Sequence, residues 1–377
     1  MADRVTIQDI ADALGLSRNT VSKAINNTGI LAEATREKVL QKAVEMGYKQ
    51  FSYLSSLSSD GKLNKDFSQQ PSSSLGNITG SPITPPDQKR SIALFSSRLL
   101  NNSHFASTML DKMQRELAGL GYTLTMYRIL PEELQALTLP YAFHASETAA
   151  IVCVEMFHAN YYDMLCGLNI PLLYIDAPVD LQASSLRSDR LLMDNRTGIH
   201  SFVLEMIRRG KKRIGFVGEY LHCQSFFERY MAFREAMVNP GLSIDERFCF
   251  LENPAERRES PENQKSREYQ EYLREELQRL PSLPDVFICA NDFIALDLLQ
   301  AFKWLQISVP EDVWLCGFDD APESRLVSPR LTSIHIHSQI MGFSAVQLLM
   351  SRIQNPDMHY RTIYTETSLI YRASTGD

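Results

Sequence analysis

From Ser91 onward, apolar runs rich in β-branched and aromatic residues recur near 91–97, 122–129, 148–155, 170–176, 213–219, 247–252, 285–290 and 313–318, with amphipathic stretches of helical period between them. That alternation leaves room for helical crossovers and not for tight hairpins, so neighbouring strands are expected to run parallel. Residues 91–97, a helix over 105–119, Gly121 and residues 122–129 make the first β-α-β unit, and its repetition predicts doubly wound α/β sheets. A length of 377 residues suits two or three domains. Two Rossmann-like lobes of about 125 residues each, with a cleft between them, fit domain size better than one very large sheet. The expected division of this core, 91–377, gives lobe 1 residues 91–187 and 312–337, and lobe 2 residues 188–311 and 338–377.

Residues 1–50 read as a separate helical head. Ile7, Ile10, Ala11 and Leu14 recur at helical spacing behind Thr6, a capping residue, and Gly15 is placed to end the helix. Ser17 is suited to cap a second helix with Val21, Ala24 and Ile25 as its inner stripe. Only the Gly15-Leu16 turn separates the two, which is helix-turn-helix spacing. A third helix over 34–46, with Val39, Leu40, Ala43, Val44 and Met46 apolar and Gly47 as its stop, gives the head a core of its own. Over residues 58–90, Ser, Pro and Gly fill 14 of 33 positions, the composition of a flexible linker.

Composition narrows the function. Hydrophobic residues at 44% and charged residues at 22% are the balance of a folded globular protein. No stretch approaches the roughly 20 apolar residues of a membrane span. The N-terminus has no apolar export region, so a cytoplasmic protein with no membrane partner is expected. Six cysteines are scattered without a Cys-x-x-Cys pair and read as buried, reduced thiols. The net charge of −7 conceals an asymmetry: residues 1–90 carry +2 and the remainder −9, which permits a DNA-binding head on an acidic body. The chain has no nucleophile elbow, phosphate-binding glycine loop, dinucleotide fingerprint or zinc-protease motif, so neither an enzyme nor a cofactor is expected. His335 and His337 alternate on a strand, but with no third ligand nearby they read as polar residues on an exposed strand face, not a metal pair.

The second helix of a helix-turn-helix lies in the major groove of double-stranded DNA and presents its N-terminal side chains to base edges. The polar residues there are Ser17, Arg18, Asn19, Thr20, Ser22 and Lys23. Arginine grips guanine O6 and N7 bidentately and asparagine grips adenine N6 and N7, whereas Ser, Thr and Lys suit phosphates. Arg18 and Asn19 are thus the candidate base-reading pair.

The segment TIQDIADALGLSRNTVSKAINNTGILAEATREKVLQKAVEMGY resembles the head of LacI/GalR-type bacterial transcription regulators. Further on, SDRLLMDNRTGIHSFVLEMIRRGKKRIGFVG, PDVFICAND, VPEDVWLCGFDD and PRLTSIHIH resemble that family's effector-binding core, in the family's order, so the likeness covers residues 5–57 and 91–374. It implies a periplasmic-binding-protein-like core. It puts Ser17, Arg18, Asn19, Thr20 and Ser22 on the recognition-helix contacts, and Thr6, Asn26 and Thr35 on phosphate contacts. Residues 51–57 fall on the hinge, with Leu57 on the leucine that the family wedges into the minor groove. The hinge departs from pattern: Gln50-Phe51 stands for the usual Pro-Asn, Leu54 for the usual small Ala, and Ala32 for the Ser or Thr that caps the third helix.

In the core, the resemblance places effector contacts at the carboxyl ends of strands facing the cleft, where a doubly wound sheet binds ligands in any case. The matching residues are Asp176, Arg229 and Asp292, joined by Ser97, His104 and, as a stacking surface, Phe105. Asp319 and Asp320 read as capping and lobe contacts. Carboxylates opposite an arginine suit a neutral polyhydroxylated ligand, so a sugar is the expected effector; the alternative is a cytoplasmic solute-binding protein, or a regulator that responds to a nucleoside or other non-sugar ligand. No aromatic residue follows 247–252 before Tyr269 to form a wall there. A homodimer without tetramerisation is expected, because one head reads about half a palindromic site and no leucine heptad follows the core.

The base-reading assignment is testable. Arg18→Ala and Asn19→Ala should each relax preference at one base position by about 1–3 kcal/mol, and Lys23→Ala should weaken all sequences alike. In a binding-site selection, an unchanged consensus for the Arg18 variant would remove it from the base readers.

Overall fold

The structure is a computed structural model that describes residues 5–25, 33–46, 48, 90–97, 104–179, 187–255 and 262–377. The expected hinge at 51–57, with Leu57, and the linker up to residue 89 lie outside the described residues, as does Asn26.

The head forms α1 (Ile7–Leu14), α2 (Arg18–Ile25) and α3 (Glu33–Glu45). Thr6 starts α1 with a reciprocal cap: its hydroxyl accepts from the Asp9 amide at 3.3 Å, and the Asp9 carboxylate accepts from the Thr6 amide at 2.7 Å. Gly15 ends the helix in the left-handed region, φ 63°, which a side chain would disfavour. The Ser17 hydroxyl then accepts from the Thr20 amide at 3.1 Å and caps α2. Ile10, Ala11, Val21, Ala24, Ile25, Val39 and Ala43 meet as the small core of the head.

The body begins with β1 (Ser91–Ser96), α4 (His104–Gly119), β2 (Thr123–Arg128), α5 (Pro131–Ala136), β3 (Thr148–Val154), α6 (Ala159–Cys166), β4 (Leu172–Ile175) and β5 (Asp189–Met193). It continues through α7 (Thr197–Arg208), β6 (Ile214–Val217), α8 (Gln224–Val238), β7 (Cys249–Phe250), α9 (Glu262–Arg279), β8 (Val286–Cys289) and α10 (Asp292–Trp304). The last elements are β9 (Trp314–Asp319), β10 (Thr332–Ile336), α11 (Ser338–Gln354), β11 (Thr362–Thr365) and β12 (Thr367–Ile370). One six-stranded sheet has the order β11-β5-β4-β3-β1-β2 and is parallel throughout. The other has the order β12-β10-β9-β8-β6-β7, parallel except for β12 on its edge. The near-continuous apolar runs of β3, β4, β6 and β8 follow from helices covering both faces.

All eight strands expected from the apolar runs are present, but the expected division into lobes is corrected. Residues 312–337, assigned to lobe 1, hold β9 and β10, and β9 pairs with β8 through Trp314 opposite Val286 in the second sheet. Residues 189–193 and 338–365, assigned to lobe 2, belong to the first: Leu191 pairs with Ile175 of β4 and with Ile363 of β11. Helix α11 packs on α4 through Gly342, where a Cβ would stand 2.5 Å from the Met109 carbonyl oxygen. The chain therefore crosses between lobes three times, near 194–196, at 337 and at 366. The sequence hides these crossings because each falls between a strand and its successor with no change of composition.

A buried ion pair holds lobe 1 together after the last crossings. Asp189, with no exposed surface, accepts from Arg352 Nε at 2.9 Å, from Arg352 Nη2 at 3.1 Å and from the Arg361 amide at 2.8 Å. Arg352 also donates to the carbonyls of Pro356 and His359, tying the end of α11 to the start of β5 and the approach to β11. Arg352→Met should lower unfolding free energy by about 3–5 kcal/mol in urea titrations, because it strands the Asp189 carboxylate in the interior.

Candidate functional site

In the head, Thr6, Ser17, Arg18 and Asn19 are exposed, and Thr20, Ser22, Lys23 and Thr35 are half-buried. Ser17 spends its hydroxyl on the cap and on Thr20 Oγ1, 2.8 Å away, which leaves Arg18 and Asn19 as the outward pair on the first turn of α2.

The cleft side of the body is defined by the carboxyl ends of the strands. There the chain turns sharply, and Glu155, Asp176, Asp319 and Asp320 all take positive φ, at 55°, 60°, 105° and 52°. Ser97, after β1, donates its hydroxyl to the Glu155 carbonyl at 2.9 Å. His104 and Phe105 open α4, and their side chains lie outside the described part. Asp176 is buried and crosses the lobes, accepting from the Ala177 amide at 2.8 Å and from the Ser225 amide, at the N-terminus of α8, at 3.1 Å. Burial pushes its carboxyl above the ordinary range, against the pull of those donors and of Arg229.

Arg229, also buried, donates from Nε to Asn195 Oδ1 at 2.9 Å and from Nη1 to the Ala290 carbonyl at 2.6 Å. Its guanidinium lies over the Phe318 ring, 3.5 Å from the centroid, with Asp319 Oδ1 3.6 Å from Nη1. It pairs with neither Glu228 nor Glu235.

Asp292, expected as an effector contact, is enclosed and engaged by groups of its own lobe. It has no exposed surface, and it accepts from the Ala321 amide and the Ser333 hydroxyl, both at 2.7 Å. A Cβ on Gly317 would stand 2.1 Å from its Oδ1, so β9 passes directly over the carboxyl. The helix cap is the preceding residue, Asn291, whose Oδ1 accepts from the Ile294 amide at 2.9 Å. Burial, and then the neighbouring Asp319, push the Asp292 carboxyl well above its usual range. Asp320 goes the other way: burial opposes its charge, but His335, Arg325 and Arg372 outweigh burial and hold it well below the carboxylate range.

His335 and His337 are half-buried, with ring centroids 4.9 Å apart, and are not on an open strand face. His335 Nδ1 is 3.0 Å from Asp320, and His337 Nε2 is 2.9 Å from Ser368 Oγ. No group of three or more potential metal ligands occurs among the described residues. None of the six cysteines is in a disulfide; four are buried and Cys166 and Cys249 are partly so.

Two features escaped the sequence. A train of rings crosses the cleft: Phe157, after β3, meets His222, after β6, at 5.1 Å, and His222 meets Phe226 of α8 at 5.4 Å. Beneath it, Asn195 and Glu228 are buried partners of Arg229 and of Tyr364. The rings stand in separate loops, and only the fold brings them together. Asn195 had a signal, a polar residue at a strand end in DNRTG.

Residues 6–50 match bacterial regulatory proteins of the lacI family, and residues 203–375 match a periplasmic binding protein-like domain. The chain belongs to the lacI family of bacterial regulators. The HTH-type transcriptional repressor PurR of Actinobacillus pleuropneumoniae serotype 3 is 26% identical over 373 residues, 98% of each chain. PurR of Haemophilus influenzae is 26% identical over 375 residues, again 98% of each. Among solved structures, the transcriptional regulator CelR in complex with cellobiose superposes with a TM-score of 0.63 at 22% identity, covering 98% of this chain and 100% of CelR. The lac repressor dimer bound to operator and an anti-inducer gives 0.62 at 18% identity, covering 99% of each.

This lacI-family member is a regulator and not an enzyme, and its body has the family's two-lobed parallel α/β core. No described helix is long and apolar enough to cross a membrane.

The opposed shifts of two nearby carboxyls give a test. Asp292 has a raised folded pKa, so its contribution to stability is present in acid and is lost as pH rises from about 4 through the folded value. Asp320 has a depressed one, so its contribution is present above about 4 and is lost only as pH falls below that. In urea denaturation, Asp292→Asn should cost under about 1 kcal/mol at neutral pH and flatten the loss that sets in as pH rises. Asp320→Asn should cost about 3–5 kcal/mol at the same pH.

Proposed function

We propose that this chain is a DNA-binding transcriptional repressor that acts as a homodimer. Its cleft takes a small neutral polyhydroxylated molecule, a sugar, and closure of the lobes on that ligand changes affinity for an operator. The observation that carries the DNA half is the exposed Arg18-Asn19 pair on the capped first turn of α2. For the cleft half it is Arg229, held by Asn195 beside Asp319, with the rings of Phe157, His222 and Phe226 spanning the lobes above. A carboxylate and a guanidinium side by side donate to and accept from vicinal hydroxyls, and an aromatic face covers the apolar side of a pyranose ring. Asp319 takes the role first given to Asp292.

The dimer finds support in apolar side chains exposed on lobe 1, namely Met126 on the edge strand β2 and Ile340 and Phe343 on α11. A second reading is a purine-type ligand. Flat aromatic surfaces stack bases as well as sugars, and the curated relatives are named PurR.

A calorimetric panel separates the two. Cellobiose, lactose, glucose and ribose are titrated against hypoxanthine and guanine, using the wild type and Asp319→Ala. One sugar should bind, and the variant should weaken it by at least about tenfold, the loss of a charge-assisted hydrogen bond. Binding of a base alone would replace the ligand class, and an unaffected variant would move the site.

A further inference from the structure

A continuous hydrogen-bonded path runs from Arg229 to an edge strand of the other lobe. Arg229, at the cleft, donates from Nε to Asn195 Oδ1 at 2.9 Å; Asn195 donates from Nδ2 to Glu228 Oε2 at 2.9 Å; and the Tyr364 hydroxyl donates to Glu228 Oε1 at 2.9 Å. Each link has one assignment of donor and acceptor, because the guanidinium only donates and the carboxylate only accepts.

The four residues sit on different bodies. Arg229 and Glu228 are on α8 of lobe 2, Tyr364 is on β11 of lobe 1, and Asn195 lies in the first segment by which the chain crosses between lobes. Asn195 has no exposed surface, and its amide is also held by Ser225 Oγ at 3.2 Å. Glu228 is 8% exposed and takes a further bond from Gln224 Nε2 at 3.0 Å. The Arg229 guanidinium is therefore held on two sides, by Asn195 and by the Ala290 carbonyl: moving it either carries Asn195, and with it the crossing segment and the links to Glu228 and Tyr364, or breaks the Arg229–Asn195 bond. Strand β11 responds most readily, because it is an edge strand with β5 as its one neighbour.

We propose that Asn195 and Glu228 are positioning residues that tie the cleft arginine to Tyr364, so that a change at Arg229 alters the hold of lobe 2 on β11. The idea rests on the reading of the Arg229 region as the effector cleft, and it adds the route by which that cleft moves the lobes.

The test needs no effector. Amide hydrogen exchange, read by mass spectrometry on the full chain, is compared in wild type, Arg229→Lys, Tyr364→Phe and the double variant. Tyr364→Phe removes one hydroxyl from a half-exposed side chain. It should speed exchange over residues 362–365 by about fivefold, as loss of one hydrogen bond does. Arg229→Lys should speed the same residues by a similar factor while leaving β3, in the centre of the same sheet, unchanged. In the double variant the second substitution should add nothing. Asn195→Asp keeps the acceptor for Arg229 but removes the donor to Glu228, and it should reproduce the effect if Arg229→Lys does not fold.

Unchanged exchange at 362–365 in Arg229→Lys, multiplied effects in the double variant, or equal acceleration in β3 would each overturn the proposal. A ligand screen without binders would instead sink the cleft assignment, so the two failures are told apart.

Discussion

Three short crossings between two sheets are the constraint on which the rest of the molecule depends. Lobe 1 is not complete until α11 and β11 return to it, and lobe 2 is not complete until β12 closes its edge. Neither lobe is a contiguous stretch of chain, and any change in their relative placement has to be absorbed near 194–196, 337 and 366. Residues beside those crossings are accordingly tied down. Asp194 accepts from the amides of Arg196 and Thr197, Asn195 is engaged on both sides of its amide, and His337 lies against Ser368. A hinge made this way bends as a unit, because its polar groups are already satisfied and slack would leave them unpaired.

The same economy governs the charges at the cleft. Five ionisable groups gather at the ends of β4 and β9, at the start of α10 and on α8, and each has its charge balanced or suppressed locally. Asp176 caps α8 across the lobes, Asp320 is surrounded by Arg325, Arg372 and His335, and Asp292 is buried beneath β9. Arg229 and Asp319 stand 3.6 Å apart beside them, with Asp319 the more exposed of the two. Left-handed backbone at Asp176, Asp319 and Asp320 turns the chain at the strand ends that carry these groups, so local strain is concentrated where the proposed ligand sits.

Much of the architecture was legible in the sequence because it rests on local rules. The Thr6 cap, the Gly15 stop and the Ser17 cap are short-range chemistry, and the apolar runs over 148–155 and 285–290 announce buried parallel strands. The short strands β5, β11 and β12 carry charged or alternating residues and gave no comparable signal. The lobe division failed for that reason: it assigned β9 and β10 by their order in the chain, whereas hydrogen-bond register decides membership. In the site, the sequence singled out Arg229 and Asp292 alike, and the structure shows Asp292 enclosed beneath β9. Within CAND, sequence shows that a carboxylate follows a strand but not which way it points, and Gly317 passing over Asp292 is a long-range fact. The cross-lobe rings of Phe157 and His222 belong to loops 65 residues apart and had no sequence signature.

The head and the body are built on separate cores, and the proposed repressor works only if a change in one is felt by the other. The most direct measurement is a fluorescence anisotropy titration of a two-fold symmetric duplex, obtained by site selection, with and without a saturating amount of the ligand found by calorimetry. Coupling between cleft and operator predicts that the ligand shifts the dissociation constant by about 5- to 150-fold. Identical operator affinity in the two titrations, with the ligand demonstrably bound, would contradict an effector-controlled regulator.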